Sequence, residues 1–552
     1  HVTFTAAPRM QNLRLYENHF FSSDDLLNRI WYAAAYTAQM CLISPQHGRA
    51  WLPPTSGWNN DVLIGLGDSI IVDGAKRDRT IWPGDMGISI ATTFATLGDV
   101  QSGINSLLTL YSLQSPAGQL PYVGPAVFCQ KPEGAPCGGQ GMWGSDTYHL
   151  WALVGSHLSA TYAANNSMAF LHDIYDRYKK AVDHSLSKVV TMRGGGNTST
   201  GSVAQGLFVV DQTADWQRSG QGGQNIAANA LLYRVTQGAV ELARMMQDTK
   251  AALRYQTAGE ALKCAINAVL WDETRHAYRD NPTSVIFPQD GNSLAVWFNI
   301  TDSADKRAGV LAYLKSNWGE LGAISPEWVY QGKGAIGTFP SSMEVFAWLS
   351  SLRRAKEGIS LIKRTWGYML NSPNSTQSTF WEGFQADGQF AFEGIYMSHA
   401  HGWSTGPAPA LTFHVLGLRR GKWGRHDYEV VPSFSSASGL AFCEGSLSFG
   451  AAGKVFVRWE ASSTLTVDAS AYARSVGLIG IPTDDALRSI RVGNSEVWDH
   501  ATNKSTGGDE AYANARDQVG LGRTVEERGG RVWITLAKPG RIMLALVREG
   551  KK

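Results

Sequence analysis

The sequence has no long apolar run and no marked excess of charge of either sign. A membrane-spanning helix needs about 18 or more consecutive apolar residues, and no such stretch occurs in the 552 residues. Lys and Arg number 49 against 47 Asp and Glu, a net charge of +2. That balance, without a basic run, argues against a protein that wraps nucleic acid. We therefore expect neither a membrane nor a nucleic acid as partner.

Cysteine is scarce, with five residues in the chain. No Cys/His spacing resembles a zinc site, so we predict no metal and no cofactor. Cys129 and Cys137 bracket a turn-rich stretch with two prolines, which a disulfide between them would close. An odd count leaves at least one thiol free.

Three features favour an extracellular protein. The first is the candidate disulfide, and the second is the first residue, His1 rather than Met, which we interpret as a processed N-terminus. The third is a set of Asn-x-Ser/Thr sequons, which predict glycosylation. The acceptor residues are Asn165, Asn197, Asn299, Asn374 and Asn503. We expect a secreted glycoprotein.

The spacing of apolar residues in the sequence changes near Leu418. Before it, apolar residues recur at helical spacing in about twelve segments, the first of which follows the capping sequence Ser22–Asp25. After it, short alternating β-branched stretches lie between turn residues, as in a β-sandwich. We predict an extended lead-in at 1–21, a helical domain at 22–424 and a β-sandwich at 425–552. Periodicity alone does not choose between a bundle, a solenoid and a closed barrel.

One stretch, Asp73–Asp85, concentrates three carboxylates, three cations and a tryptophan. Carboxylates at Asp73, Asp78 and Asp85 cannot share one helix face, and glycine and proline interrupt the stretch, which predicts a loop that leads into a helix. Such a loop can direct its carboxylates into one cavity. The alternative is a salt-bridged surface loop in which Asp85 caps the following helix.

The spacing Asp-x-x-Lys-Arg-Asp/Glu-Arg-x-x-Trp-x-Gly-Asp is similar to the signature of the α-L-rhamnosidases of glycoside hydrolase family 78, and the sequence is closest in type to fungal members. The resemblance implies a mostly α protein with a β domain: an (α/α)6 barrel followed by a C-terminal β-sandwich. Relatives usually carry further β-domains before the barrel, which would be absent or removed here. Asp78 aligns with the general acid, which is Glu in many members.

Two downstream segments extend the resemblance. Ser375–Phe384 resembles the Thr-Thr-x-Trp-Glu segment of the family, in which the Glu is the general base, and this implies that role for Glu382. Ser398–Trp403 resembles a Ser-x-x-His-Gly-Trp segment of fungal relatives. It makes His401 the candidate for binding a sugar hydroxyl, with His399 as the alternative.

Further substrate-binding residues come from these motifs and from two loops that resemble pocket-lining loops of the family. Packing in the core is the alternative for the tryptophans. The predicted substrate-binding residues are Asp73, Arg77, Trp82, Asp85, Trp143, Asp215, Trp216, Arg218, Trp381, His399, His401 and Trp403.

The resemblance implies an exo-acting α-L-rhamnosidase that hydrolyses terminal α-L-rhamnose from plant glycans or glycosides with inversion. With the features above, we expect this protein to be secreted and monomeric. Inversion needs an acid and a base about 6.5–9.5 Å apart, so that a water fits between base and sugar. An alternative is an L-rhamnose-α-1,4-D-glucuronate lyase that releases rhamnose by β-elimination. In that enzyme His399 or His401 would act as base, and Arg218 or Arg193 would neutralise the uronate. A second alternative is a rhamnose-binding protein without catalysis.

Overall fold

The computed structural model describes residues 16–47, 63–75, 79–125, 144–163, 167–190, 205–215, 218, 222–330, 333–391, 397–422, 427–460, 463–469, 476–483, 487–492, 495–499, 521–528, 530–536 and 540–548. The helices are α1 Asp25–Met40, α2 Pro83–Leu97, α3 Gln101–Ser112, α4 Asp146–Tyr162, α5 Ser167–Leu186, α6 Ile226–Met245, α7 Thr249–Val269, α8 Gln289–Trp297, α9 Ala304–Ser316, α10 Thr338–Ser350, α11 Ala355–Asn371, α12 Pro407–Ala410 and α13 Ser435–Ser438. The strands are β1 His19–Ser22, β2 Leu42–Ile43, β3 Ile70–Ile71, β4 Trp271–Asp272, β5 Ala277–Tyr278, β6 Val329–Tyr330, β7 Lys333–Gly337, β8 Gly383–Gln385, β9 Leu418–Arg420, β10 Tyr428–Val430, β11 Phe442–Ser448, β12 Lys454–Glu460, β13 Thr464–Asp468, β14 Gly477–Pro482, β15 Leu487–Val492, β16 Ser495–Asp499, β17 Leu521–Arg528, β18 Arg531–Leu536 and β19 Arg541–Arg548.

The first twelve helices form a closed double ring. Helices α2, α4, α6, α8, α10 and α12 each contact the next, and α12 returns to α2. The intervening helices pack outside this inner ring, so the chain makes six helical hairpins. Because each outer helix brings the chain back, all six inner helices begin at the same end of the barrel. The loops that precede them therefore meet there, together with the positive ends of six helix dipoles.

The amino-acid pattern explains which helices are inside. Every residue of α2 from Pro83 to Thr96 is buried, as expected for a helix that is apolar or small on all sides. The outer helix α9 instead buries one stripe, Val310, Leu311 and Leu314. Asp24 caps α1 by accepting a hydrogen bond from the Leu27 N–H, as the capping sequence predicts.

The β-sandwich consists of two sheets. One has the order β1-β11-β12-β13-β19-β15-β16, and the other has the order β17-β18-β14-β10-β9. The predicted lead-in contributes β1, which pairs antiparallel with β11 and so belongs to the first sheet. The described elements confirm the predicted six-hairpin barrel and β domain. None of the described helices is long and apolar enough to cross a lipid bilayer.

Two small sheets hold the loops at the open end of the barrel. Strand β3, paired with β2, ends just before Asp73. Strand β8 begins directly after Glu382 and pairs with β7, which leads into α10. The two principal motifs are thus each attached to a short, hydrogen-bonded strand.

Candidate active site

Segment 398–403 joins the two motifs that lie far apart in sequence. The Gly402 N–H donates to the Asp73 carbonyl at 2.6 Å, and the Glu382 N–H donates to the Ser398 carbonyl at 3.0 Å. The His401 N–H donates to the Phe380 carbonyl at 3.0 Å. Asp73 and Glu382 are both buried. One backbone segment therefore fixes both carboxylate-bearing loops at the same end of the barrel.

Asp85 turns toward this segment rather than toward its own helix. Its Oδ1 accepts the Trp403 N–H at 3.0 Å and lies 3.2 Å from Nε2 of His401. Helix α2 has Trp82 as its N-cap residue, without a side-chain capping bond. The alternative in which Asp85 caps the helix is therefore wrong, because a distant loop supplies the donors that satisfy its carboxylate.

Glycine at position 402 permits that close approach. A Cβ built there would lie 2.6 Å from the Ser89 Oγ and 3.2 Å from Asp85 Oδ1. Any side chain at Gly402 would push Asp85 or Ser89 away, so the glycine of the His-Gly-Trp segment sets the distance between segment 398–403 and α2.

Asp85 and Glu382 influence each other electrostatically. Burial raises the pKa of Asp85, and the negative charge of Glu382 raises it further. His401 and the Trp403 N–H act in the opposite direction, since both favour the ionised carboxylate. The two carboxylates are therefore close enough to interact, and His401 supports the charge on Asp85.

Glu382 is held by its main chain as well as by its side chain. Its Oε2 accepts the Ser398 N–H at 3.2 Å. Its carbonyl accepts the Thr338 hydroxyl at 2.7 Å and the Trp403 indole N–H at 3.0 Å. A carboxylate anchored on both sides has a fixed direction, as a general base requires.

Aromatic rings form the pocket's surroundings. Trp82, half-buried, contacts the rings of Tyr122 and Tyr148 edge to face, with centroids 5.4 and 6.0 Å apart. Trp403 is buried and stacks on Phe339 at 5.2 Å. Trp82 is thus the predicted tryptophan whose position between pocket and solvent suits contact with a sugar.

Trp381 and His399 lie to one side of the carboxylates. The Trp381 indole is fully buried against Phe384 and Phe390, with centroids 5.8 and 5.1 Å away. The half-buried His399 ring lies 4.9 Å from Phe390. Core packing, the alternative for interior tryptophans, describes Trp381. A role for either residue in substrate binding stays a prediction.

Arg218 is engaged by carboxylates of the protein. The buried guanidinium pairs with Asp280, and its Nη1 lies 3.2 Å from Asp290 Oδ2. Burial alone would lower its pKa, but Asp290, Asp280, Glu327 and other nearby carboxylates raise it above its usual value. Arg218 therefore has a structural role at the start of α8, which a motif comparison does not reveal.

The start of α8 is also capped from a distance. Glu327 accepts the Gln289 and Asp290 N–H groups at 2.8 and 3.0 Å. The sequence places the start of this helix at Ser293. The helix begins four residues earlier because a carboxylate from another loop satisfies its first N–H groups.

Asp215 lies beside the same cluster. Its Oδ2 accepts the Thr147 hydroxyl at 2.8 Å, and it lines a narrow cavity together with Arg218, Glu327 and Phe339. Since Phe339 stacks on Trp403, this cavity lies next to the pocket.

Several predicted residues lie outside the described residues: Arg77, Asp78, Trp143, Trp216, the cysteines Cys129 and Cys137, and the sequons at Asn165, Asn197 and Asn503. The remaining sequon residues, Asn299 and Asn374, are exposed. Arg79, directly after Asp78, has a φ of 53°, a left-handed backbone conformation that is uncommon for residues other than glycine. Such strain clusters at functional sites.

Tyr148 is a site residue that no motif in the sequence indicates. It lies in the first turn of α4, buried against Trp82 and against Gly84, where a Cβ would be 2.9 Å from its ring. Burial raises its pKa well above the usual value, and the charges of Asp215, Asp85 and Glu382 raise it further. The phenol is therefore neutral and lies close enough to all three carboxylates to interact with them. It can act as a hydrogen-bond donor in the site. The only sequence signal is its position five residues after Trp143, in one of the two stretches that resemble pocket-lining loops of the family.

We expect Tyr148→Phe to lower kcat/KM for a substrate turned over in this site by about tenfold, the effect of one lost hydrogen bond. The ring packing is kept, so thermal unfolding should change little. Tyr111→Phe is the matched control, because Tyr111 is equally buried and its hydroxyl lies 3.0 Å from that of Ser156, away from the site. Equal activity of Tyr148→Phe and the native enzyme would exclude the phenol from the reaction.

A closed ring of six helical hairpins, with carboxylates and aromatic rings at the end where the inner helices begin, defines a six-hairpin glycosidase. Residues 67–406 match the model described as the bacterial α-L-rhamnosidase six-hairpin glycosidase domain. The chain therefore belongs to this family, the α-L-rhamnosidases of glycoside hydrolase family 78. This confirms the family that the Asp73–Asp85 motif predicts.

Solved structures of this family share the fold. An α-L-rhamnosidase from Dictyoglumus thermophilum aligns at 16% identity over 96% of this chain and 50% of its own, with a TM-score of 0.65. One from Streptomyces avermitilis, complexed with L-rhamnose, aligns at 14% identity over 96% and 42%, with a TM-score of 0.63. One from Aspergillus terreus aligns at 16% identity over 85% and 48%, with a TM-score of 0.57.

The chain thus spans half or less of the length of these three relatives. No curated protein sequence is significantly similar to it. At these identities the structural likeness speaks for the fold, and the reaction has to be inferred from the family and the site.

Proposed function

We propose that the protein is an exo-acting α-L-rhamnosidase that hydrolyses a terminal α-L-rhamnoside with inversion. The observation that carries the proposal is the convergence of Asp73, Asp85 and Glu382 on segment 398–403 in a chain of this family. Glu382 activates the water that attacks the anomeric carbon. Asp78, whose motif partners Asp73 and Asp85 lie in the pocket, protonates the departing oxygen.

The remaining polar groups bind the sugar. Asp73, Asp85 and His401 accept or donate hydrogen bonds to the vicinal hydroxyls of rhamnose, and Trp82 covers its methyl group. A small pocket with few directed polar groups and an aromatic wall is the usual composition of a sugar site. Loops that precede different inner helices meet at this end of the barrel, as in the hydrogen bond from the Gly402 N–H to the Asp73 carbonyl, and this favours a pocket for a chain end over a groove for an internal residue.

The ion pairs of Arg218 count against β-elimination. A lyase needs a cation to neutralise the uronate carboxylate, and Arg218 already pairs with Asp280 and Asp290. Breaking a buried pair by drawing one partner away leaves uncompensated charge, which costs about 3–5 kcal/mol. Arg193, the other candidate cation, lies outside the described residues.

We further propose that the protein is a secreted, monomeric glycoprotein of fungal type that acts on plant glycans or glycosides. The exposed sequon residues Asn299 and Asn374 support glycosylation. Intact-mass measurement of the secreted protein before and after deglycosylation tests this part.

A reaction in ¹⁸O-water on a glycan that ends in rhamnose–glucuronate tests the chemistry. We expect label at rhamnose C1 and β-rhamnose as the first anomer in early NMR spectra, because water attacks the anomeric carbon from the face opposite the leaving group. Unlabelled rhamnose with an unsaturated uronate would instead mean elimination. Rhamnose binding without turnover of any rhamnoside would mean a binding protein.

A further inference from the structure

A second cavity lies between the helical barrel and the β-sandwich, about 200 Å³ in volume. Its walls include the end of α10 and the residues after it, His414, and strands of the five-stranded sheet. Helix α10 begins at Thr338, whose hydroxyl contacts the Glu382 carbonyl, and ends at Ser350 on the cavity wall. Thirteen helical residues span about 20 Å, so this interdomain cavity is separate from the rhamnoside pocket.

Its lining is strongly basic. Arg353 comes from the barrel side, Arg419 and Arg531 come from the sandwich, and none of the described residues that line the cavity is acidic. Among the described residues, Glu429 is the carboxylate that pairs with one of these arginines, accepting a hydrogen bond from Arg419 Nη2 at 2.5 Å. In this part of the chain the three guanidinium groups therefore outnumber the carboxylate paired with them.

Arg531 is the least compensated of the three. Its Nε is buried and meets no hydrogen-bond acceptor in the part of the chain that the structure describes. Burial lowers its pKa, and repulsion by Arg419 lowers it further, against a smaller opposing effect of Glu429. A guanidinium has five N–H donors and is costly to bury without acceptors.

His414 responds to the same excess of positive charge. Burial, then Arg419 and Arg531, lower its pKa to about 3. The imidazole is therefore neutral at ordinary pH. The main-chain carbonyl of His414 accepts a hydrogen bond from the Ser433 hydroxyl at 2.9 Å. The positive charge at the cavity therefore comes from its arginines, and His414 does not add to it.

We propose that the interdomain cavity is a binding site for a small oxyanion, a carboxylate or a phosphate, held between Arg531 and Arg353. Guanidinium groups bind both anions through paired N–H donors. The Arg353 Nη2 donates to the Thr483 carbonyl at 2.7 Å, which points this barrel side chain at the sandwich. At about 30 Å³ per water, the cavity has room for a phosphate or for a single sugar acid. An anion bound here links the barrel to the sandwich.

Isothermal titration of the full chain with sodium phosphate, and separately with sodium glucuronate, tests the proposal at constant ionic strength maintained with sodium chloride. We expect saturable binding of at least one anion with one site per chain. Arg531→Gln should weaken it by about tenfold or more, because charge-assisted hydrogen bonds are lost. The tighter of the two anions identifies whether a sugar acid or a free phosphate is the natural occupant.

The matched control is Arg541→Gln, since Arg541 is an exposed arginine on β19 of the same domain. It should bind like the native chain, and both variants should keep the native circular dichroism and rhamnoside turnover. If neither anion binds, or if Arg531→Gln and Arg353→Gln bind as tightly as the native chain, the cavity is not an anion site. Loss of turnover bears only on the rhamnoside pocket, so the two proposals can fail separately.

Discussion

Replacing Glu382 by Gln should lower kcat for a terminal α-L-rhamnoside by about 10³-fold, the usual size of a general-base contribution. Glutamine has nearly the same shape but cannot take a proton from the attacking water. The main-chain contacts to Thr338 and Trp403 are independent of the side chain. We therefore expect kcat to fall far more than KM changes, as measured by steady-state kinetics.

The electrostatics of the site also predict that Glu382→Gln lowers kcat while leaving substrate binding largely unchanged. Burial, and then the charge of Glu382, raise the pKa of Asp85. Removing that charge makes Asp85 ionise more readily, so it remains an acceptor for a sugar hydroxyl. Ground-state binding of rhamnose, measured by calorimetry, should survive in Glu382→Gln.

Glu344→Gln is the matched control, because it makes the same Glu→Gln change at another buried carboxylate. Glu344 is also fully buried, and it accepts hydrogen bonds from Gln289, Trp318 and Trp348 at 2.8, 2.6 and 3.0 Å. Its substitution disturbs a structural network, so Glu344→Gln should lower the unfolding temperature while keeping turnover.

Azide should restore part of the rate in Glu382→Ala, because this anion can attack the anomeric carbon without a base to deprotonate it. Near-native turnover in Glu382→Gln would show that another group activates the water.

The sequence predicts much of the fold because local signals and the global architecture agree. Helical periodicity and the Asp24 cap locate α1, a fixed motif spacing assigns Asp73 and Asp85 to one site, and a second segment that resembles the family adds Glu382. These signals involve neighbours in sequence, or a pattern that the whole family shares. The positions of the inner helices then follow once the barrel is accepted.

Contacts between loops from different hairpins could not be predicted in this way. From its neighbours in sequence, Asp85 is a candidate N-cap of α2, yet its side-chain partners are His401 and Trp403. The resemblance makes Arg218 a candidate substrate-binding cation, yet the packing of α6 against α8 brings it to Asp280 and Asp290. Tyr148 carries no motif, and only the packing of α4 against α2 places it beside Trp82. In each case the partner that decides the role lies on another hairpin.

Asp78→Asn should lower kcat/KM by about 10³-fold for a rhamnoside whose leaving group is a sugar alcohol, because such an oxygen must be protonated as it departs. In the sequence, Asp78 lies between Asp73, which is fixed to segment 398–403, and Arg79, whose φ is 53°. For 2,4-dinitrophenyl rhamnoside, whose leaving group departs as a stable anion, we expect only a small loss.

A larger loss of rate for the sugar leaving group than for 2,4-dinitrophenolate would identify Asp78 as the general acid. An Asp78 that only positioned the loop would lower both rates alike, and equal losses would contradict protonation by this residue. Asp78→Glu supplies the internal check, since it restores a carboxyl that is one methylene longer. It should recover most of the rate for the sugar leaving group, and recovery confined to that substrate would point to proton donation as the lost step.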